Sequence, residues 1–160
     1  MKGHSGEVFA TRFDPSGQFI ASGSMDRTIL LWRTYGACEN YGILAGHKGA
    51  VLDLHWSRDS KNLFSASADM NLASWDLETG QRIRRHEGHE EVVNSMDISK
   101  RGVELLVSGS DDGYIGVRLG LQSHFTSASD CKLTSDRYGT PDKRQPLTSS
   151  QLTSRLRLSH

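Results

Sequence analysis

GHKGAVLDLHWSRDSKNLFSASADMNLASWD, residues 46–76, holds one complete copy of the unit that decides the fold. It opens on Gly46-His47 and runs through an alternating apolar segment, a polar turn and a small-residue stretch ending in Asp69. It closes on Trp75-Asp76. The same order begins at Gly3-His4 and again at Gly88-His89, so the histidines stand 43 and then 42 residues apart. From histidine to turn aspartate the offset is 22 for His4–Asp26, 22 for His47–Asp69 and 23 for His89–Asp112. Four residues before each aspartate stand Ser22, Ser65 and Ser108; six residues after it stand Trp32, Trp75 and Arg118.

A period of about 40–45 residues with these signatures at fixed offsets describes a β-propeller blade, repeated. Within copy one, Glu7–Phe13 alternates like a strand and Asp14–Gly17 (DPSG) reads as a type I turn with proline at its second position. Phe19–Ser24 and Thr28–Trp32 form the next two strands, with Met25–Arg27 turning between them. A loop, YGACENYG, precedes a fourth strand at Gly42–Ala45. Copy two repeats this as AVLDLHW, LFSAS, NLASW and QRIRR. Copy three supplies VVNSMDI, ELLVSGS and YIGV, and no fourth strand is expected there. Short strands with turn signals at regular spacing predict all-β architecture: two complete four-stranded blades plus three strands of a third. Several runs are apolar on both faces, as blades packed face to face require.

Histidine, serine and aspartate at constant spacing suggest a hydrolase triad, but a nucleophile site occurs once per domain. A set that recurs with every structural unit is structural. The tryptophan N–H can donate to the serine, and the serine to a neutral histidine. The histidine can in turn donate to the aspartate. The expected network comprises His4, Ser22, Asp26 and Trp32; His47, Ser65, Asp69 and Trp75; and His89, Ser108 and Asp112, with Arg118 in the third tryptophan column. No catalytic residue, cofactor or metal site is assigned. HEGHEE (His86–Glu91) lacks the H-E-x-x-H spacing of zinc proteases, and no phosphate-binding glycine loop is present.

The 160 residues carry 19 basic and 19 acidic side chains. That balance gives no bulk attraction to nucleic acid or anionic membrane. No stretch is long and apolar enough to span a bilayer, and MKGHSGEV lacks the apolar core of a signal peptide. Cys38 and Cys131 make neither a disulfide framework nor a metal pair, which points to a reducing compartment. Composition shifts after Arg118. Residues 1–118 hold 13 basic and 16 acidic residues, whereas 119–160 hold 6 and 3, with 13 Ser or Thr and no Val, Ile or Trp. The domain boundaries are therefore placed at 3–118 for the blades and 119–160 for a Ser/Thr-rich tail. That tail is expected to be disordered, or a frame or intron artefact, with only a weak helical stripe at Leu147, Leu152, Leu156 and Leu158.

The recurring columns over residues 3–117 resemble the WD-repeat family. YGACENYGILAGHKGAV, LFSASAD, WDLETGQRIRRHEGH, VNS and LLVSGSDDG are similar to the opening repeats of its spliceosomal branch, the WD-repeat subunits of U5 small nuclear ribonucleoproteins. The segment carrying Tyr35, Gly36, Cys38, Asn40 and Tyr41 is its most distinctive part. The resemblance implies a seven-bladed, non-enzymatic scaffold acting in pre-mRNA splicing in the nucleus. Its partners would be large spliceosomal proteins, with RNA met only indirectly and with no membrane or small-molecule substrate. The sequence departs from the family in holding fewer than three full blades, and in RLGLQSHF where Trp-Asp would follow Val117. An open arc leaves blade faces bare and is expected to associate through them.

Loop residues on a rigid scaffold are where contacts are expected. The candidates are Met25, Ala68 and Asp111, beside the turn aspartates, together with Tyr35 and Tyr41. Arg82, Arg84 and Arg85 read as a solvated outer edge rather than an RNA site. The competing readings are a WD-repeat adaptor of another pathway (a ubiquitin-ligase substrate receptor or chromatin adaptor), an enzyme using the repeated columns, and a truncated gene product without independent function.

Overall fold

Turn chemistry sets the strand ends. The Asp14 carboxylate accepts the backbone N–H groups of Ser16 at 3.1 Å and Phe19 at 2.8 Å. Gly17, at φ +73°, closes the turn by donating to the Asp14 carbonyl at 3.0 Å. The tighter turn after each second strand ends on a left-handed residue: Arg27, Met70 and Gly113, at φ +70°, +68° and +79°. A type I turn followed by one left-handed residue is a common three-residue hairpin connection. The third copy puts glycine, which tolerates positive φ, at that position.

The computed structural model describes residues 2–120 and the backbone of residues 131–134. Three antiparallel sheets follow one another along the chain. Blade 1 consists of β1 (Val8–Phe13), β2 (Phe19–Ser24), β3 (Thr28–Arg33) and β4 (Asn40–Ala45). Blade 2 consists of β5 (Val51–Trp56), β6 (Asn62–Ser67), β7 (Leu72–Asp76) and β8 (Arg82–His86). Blade 3 begins with β9 (Val93–Ile98), β10 (Leu105–Ser110) and β11 (Tyr114–Leu119). The all-β class, the strand order and the three repeat origins stand as read from the sequence. The described residues include no helix.

Two details change. The third blade was expected to stop at three strands, yet the backbone of β12 (Cys131–Thr134) pairs antiparallel with β11, Val117 opposite Cys131 and Tyr114 opposite Thr134. Ladder pairing draws on backbone N–H and C=O groups, so the outer edge of β11 can be met without the alternating β-branched pattern that the sequence lacks. The rest of the tail, including the leucine stripe, lies outside the described residues. In blade 1, β4 starts at Asn40 instead of Gly42, so Asn40 and Tyr41 belong to a strand and the preceding loop is shorter than expected.

The hydrophobic core lies between blades rather than within them. Ala21, Ile29, Leu31 and Leu44 of blade 1 pack with Val51, Leu54, Trp56 and Leu63 of blade 2. Phe64, Ala66 and Leu72 of blade 2 pack in the same way with Val93, Met96, Ile98 and Leu106 of blade 3. A sheet buried on both faces needs apolar residues at successive positions, which explains why β6 and β7 read as nearly continuous small and apolar runs.

Buried Asp53, in the middle of β5, ties all three blades together. One carboxylate oxygen accepts from the Arg12 guanidinium of blade 1 at 3.0 Å, and the other accepts from the Met96 backbone N–H of blade 3 at 3.1 Å. The Trp56 indole N–H adds a bond to the Arg12 carbonyl at 3.0 Å. Removing a buried acceptor strands its donors at about 1–3 kcal/mol each. Asp53→Ala is therefore expected to lower unfolding free energy by about 2–3 kcal/mol in urea titrations, while Asp53→Asn retains part of that. A loss below about 0.5 kcal/mol, the range of ordinary surface substitutions, would rule out this role.

Candidate interaction rim and its bracing network

Each blade carries a hydrogen-bonded chain from its third strand to its turn. In blade 2 the Trp75 indole N–H donates to Ser65 Oγ at 2.8 Å, and Ser65 lies 2.7 Å from His47 Nε2. His47 Nδ1 stands 2.9 Å from Asp69 Oδ2, which also accepts the Lys48 N–H at 2.8 Å. Blade 1 repeats this through Trp32, Ser22, His4 and Asp26 at 2.8, 2.8 and 2.9 Å. A carboxylate only accepts, so Nδ1 carries the proton donated to it; Nε2 of the neutral ring then accepts the serine hydroxyl. In blade 1 the Ser22 hydroxyl also lies 3.4 Å from the Leu30 carbonyl.

Blade 3 makes the same chain with a different first member. Arg118 Nη1 donates to Ser108 Oγ at 3.0 Å, Ser108 meets His89 Nε2 at 2.8 Å, and His89 Nδ1 meets Asp112 at 2.8 Å. The buried guanidinium stands where an indole stands in the other two blades. Gly116 makes the room: a Cβ there would lie 2.8 Å from both Arg118 Nη1 and Ser108 Oγ. The chain thus runs from a cation at one end to a carboxylate at the other.

The Ser–His–Asp order imitates a hydrolytic triad in connectivity only. Ser65 is wholly buried, and its oxygen already accepts an indole N–H. Ser108 is likewise buried and accepts the Arg118 guanidinium, while Ser22, which accepts the Trp32 indole, borders a depression on the open face of blade 1. Among the described residues no group of three His, Cys, Asp or Glu is disposed to hold a metal. HEGHEE is not helical: His86 ends β8, buried, 2.7 Å from Ser74 Oγ, while His89 belongs to the blade 3 chain. The Ser74–His86 pair was not anticipated from the sequence.

Burial opposes ionisation of the turn carboxylates, but hydrogen bonds outweigh it and hold all three below the ordinary aspartate range. For Asp26 the donors are the Thr28 hydroxyl, His4 and the N–H groups of Thr28 and Ser5. For Asp69 they are His47, the Lys48 N–H and Asn71. Asp112, lowered to about 2, accepts from the Tyr114 and Glu90 N–H groups and from His89.

The chains fix the turns that form one rim. Met25 and Asp111 are exposed there, and Ala68 is half-buried. Three further rim residues escaped the sequence reading. Each innermost strand carries a one-residue bulge, at Phe9, Leu52 and Asn94, where the register against the second strand slips. Bulges re-aim side chains, and Asn94 shows where they point: its side-chain amide donates to the Asp111 carboxylate. Phe9 and Leu52 occupy the matching positions beside Met25 and Ala68. Exposed Met70 adds to this apolar sector. The tyrosines do not join it. Tyr35, exposed, lies in the loop at the far end of β3, and Tyr41 sits in β4 with its ring 5.2 Å from Phe19 and under the Arg33 guanidinium. Of the basic outer edge, Arg82 donates to the Gly46 carbonyl at 2.8 Å, and Arg85 lies 3.4 Å from Glu87.

The repeat family described as WD domain, G-beta repeat matches residues 1–33, 38–76 and 80–117. The chain belongs to the WD-repeat family. It is 56% identical over 112 residues to the pre-mRNA-splicing factor cwf17 of Schizosaccharomyces pombe, covering 70% of this chain and 33% of that protein. It is 46% identical over 110 residues to the U5 small nuclear ribonucleoprotein 40 kDa protein of Dictyostelium discoideum, covering 69% and 31%. The human protein of that name is 50% identical over 115 residues, covering 72% and 32%. The chain spans about one third of the length of these relatives.

Two outcomes follow from the network. His47→Ala leaves Ser65 and Asp69 without their shared partner and is expected to cost about 2–4 kcal/mol in chemical denaturation. A change within about 0.5 kcal/mol would contradict the bracing role. The second concerns pH. Because the folded carboxylates bind protons less readily than unfolded ones (pKa about 3.9), their stabilisation is full above about pH 4 and fades as pH falls toward about 2. Asp112→Asn should remove the Asp112 share, giving a lower plateau near neutrality and a shallower acid limb in unfolding free energy between about pH 2 and 5. An acid limb identical to wild type would show that Asp112 carries none of it.

Proposed function

We propose that this chain supplies protein-binding blades to the splicing machinery and has no catalytic role. The observation that carries this reading is the identity of 46–56%, over 110–115 residues, to proteins named as a pre-mRNA-splicing factor and as U5 components. The geometry agrees with it. Polar side chains of the kind enzymes use are sequestered in bracing chains, while the rim presents apolar Phe9, Met25 and Met70 beside polar Asn94 and Asp111. A surface of that composition suits protein contact better than phosphate binding. The partners are accordingly large proteins of the spliceosomal U5 particle in the nucleus, with RNA reached only through them. Met25, Ala68 and Asp111 form the contact set on this rim, and Tyr35 is a separate contact at the opposite end of blade 1.

Affinity capture from nuclear extract tests the proposal. The tagged chain should recover U5 RNA together with large U5 proteins. Met25→Asp combined with Asp111→Lys should cut that recovery about tenfold, the equivalent of about 1.4 kcal/mol, while leaving the melting temperature unchanged. Recovery of ubiquitin-ligase or chromatin components without U5 RNA would reject the assignment.

A further inference from the structure

The outermost strand of a blade lies on the perimeter, because neighbouring blades pack on its faces and not on its edge. In the middle blade that strand is β8. It pairs with β7 on one side, and among the described residues no strand pairs with it on the other. Blades stacked before the first or after the third leave this edge where it is. Its outer backbone N–H and C=O groups form a row to which an extended segment can be added as a further strand.

Repetition separates what the blade needs from what it does not. Against the third strand, Arg82, Arg84 and Arg85 of β8 stand at the positions that Asn40, Gly42 and Ile43 hold in β4. Blade 1 thus forms the same four-stranded sheet with no charge at any of them. Only Arg82 is engaged by the fold: it donates to the Gly46 carbonyl at 2.8 Å and lies over the Trp75 ring. Arg85 reaches the exposed Glu87 at 3.4 Å. Arg84 is exposed and makes no hydrogen bond or ion pair among the described residues.

The bulged residues of the two outer strands differ as well. Tyr41 of β4 stacks on Phe19, whereas their counterparts in blade 2 are Ile83 and Asn62. The smaller pair leaves the corner unfilled. Ile83 is 50% exposed, and a depression of about 550 Å³ opens between it and Asn62, Asp76, Leu77 and Glu78. The edge thus presents an apolar seat, with the Arg84 and Arg85 guanidinium groups further along the strand and carboxylates at the turn before it. Such a surface selects a polypeptide, which can change sign along its length. A nucleic acid carries a phosphate at every step and brings negative charge against Asp76 and Glu78 as well as against the arginines. No aromatic side chain stands between the arginines for a base to stack on.

We propose that β8 is a docking edge for an extended, acidic segment of a partner protein. The segment adds to blade 2 as a fifth strand, sets an apolar side chain on Ile83 and brings carboxylates to Arg84 and Arg85. Guanidinium and carboxylate groups pair in bidentate fashion, and main-chain bonds along the edge supply affinity while the side chains supply selectivity. Edge charges also discourage unwanted pairing, but that role needs no exposed isoleucine among them. The site is separate from the rim and does not rest on the splicing assignment.

A display library of random peptides tests this against the wild-type chain and against Arg84→Glu combined with Arg85→Glu. Arg82 is left in place because the fold uses it. Peptides held by the wild type and depleted about tenfold or more on the variant are expected to be rich in Asp and Glu, with apolar residues between them. Such a peptide should slow amide hydrogen exchange in β8 of the wild type and lose about tenfold in affinity on Ile83→Asp. Arg84→Lys combined with Arg85→Lys keeps the charge and should keep most of the binding. All of these variants should retain wild-type sheet circular dichroism, since the altered side chains are exposed. Four results would each overturn the proposal: no peptide that distinguishes the two forms, distinguishing peptides that are basic or uncharged, protection that falls outside β8, or displacement of the acidic peptides by oligouridylate.

Discussion

The serine hydroxyl at the centre of each blade is the joint on which the rest depends. Ser65 sits in the second strand and receives the Trp75 indole from the third. It faces His47, which lies before the first strand, and His47 holds the aspartate of the turn that links the second strand to the third. Four segments far apart in the chain are thereby fixed to one another inside a sheet that buries both faces. The chain is an all-or-none arrangement. Any member removed leaves a buried neighbour unpaired, and in a water-free interior that costs more than the bond itself contributes. The spacing of histidine to aspartate can vary by one residue, as it does in copy three, because a loop absorbs the difference. The spacing of serine to aspartate cannot, since both belong to one strand and its turn.

Between blades the balance is different. Apolar packing supplies most of the area, but it is nearly non-directional, and flat faces could slide. Asp53 removes that freedom by holding a side chain of the blade before it and a backbone N–H of the blade after it. Ser60 of blade 2, donating to the Asp14 carboxylate of blade 1 at 3.2 Å, and Arg58, donating to the Gly102 carbonyl of blade 3 at 2.8 Å, add restraints at the far end from the rim. The polar contacts set register, and the apolar ones supply adhesion.

Much of this was legible in the sequence, for a physical reason. A repeated unit must satisfy the same steric and hydrogen-bonding demands each time, so residues under those demands recur at fixed offsets. The Gly-His pairs, the turn aspartates and the serines are of that kind. What recurs only as geometry was not legible. The bulges at Phe9, Leu52 and Asn94 put a different residue at one shared position, and a bulge shows in the register and not in composition. Asp53 has Ala10 and Ser95 as its counterparts, so the repeat offered no hint that it joins blades. The pairing of Cys131–Thr134 rests on backbone groups that every non-proline residue carries. Tyr41 reads as loop in a segment with two glycines, yet packing against Phe19 draws it into β4.

Arg118 shows how far the repeat can bend without breaking. Read as letters, an arginine in the tryptophan column ends the pattern. Read as donors and acceptors, it continues it, because the column requires an N–H directed at Ser108 and a guanidinium has five. The exchange carries two consequences. An arginine is slimmer than an indole, and Gly116 lets it lie close against the serine. A buried cation needs a countercharge, and the chain ends in the Asp112 carboxylate, which hydrogen bonds hold ionised down to about pH 2. A tryptophan needs neither. Blade 3 is therefore the one whose internal chain is balanced by charge as well as by hydrogen bonding.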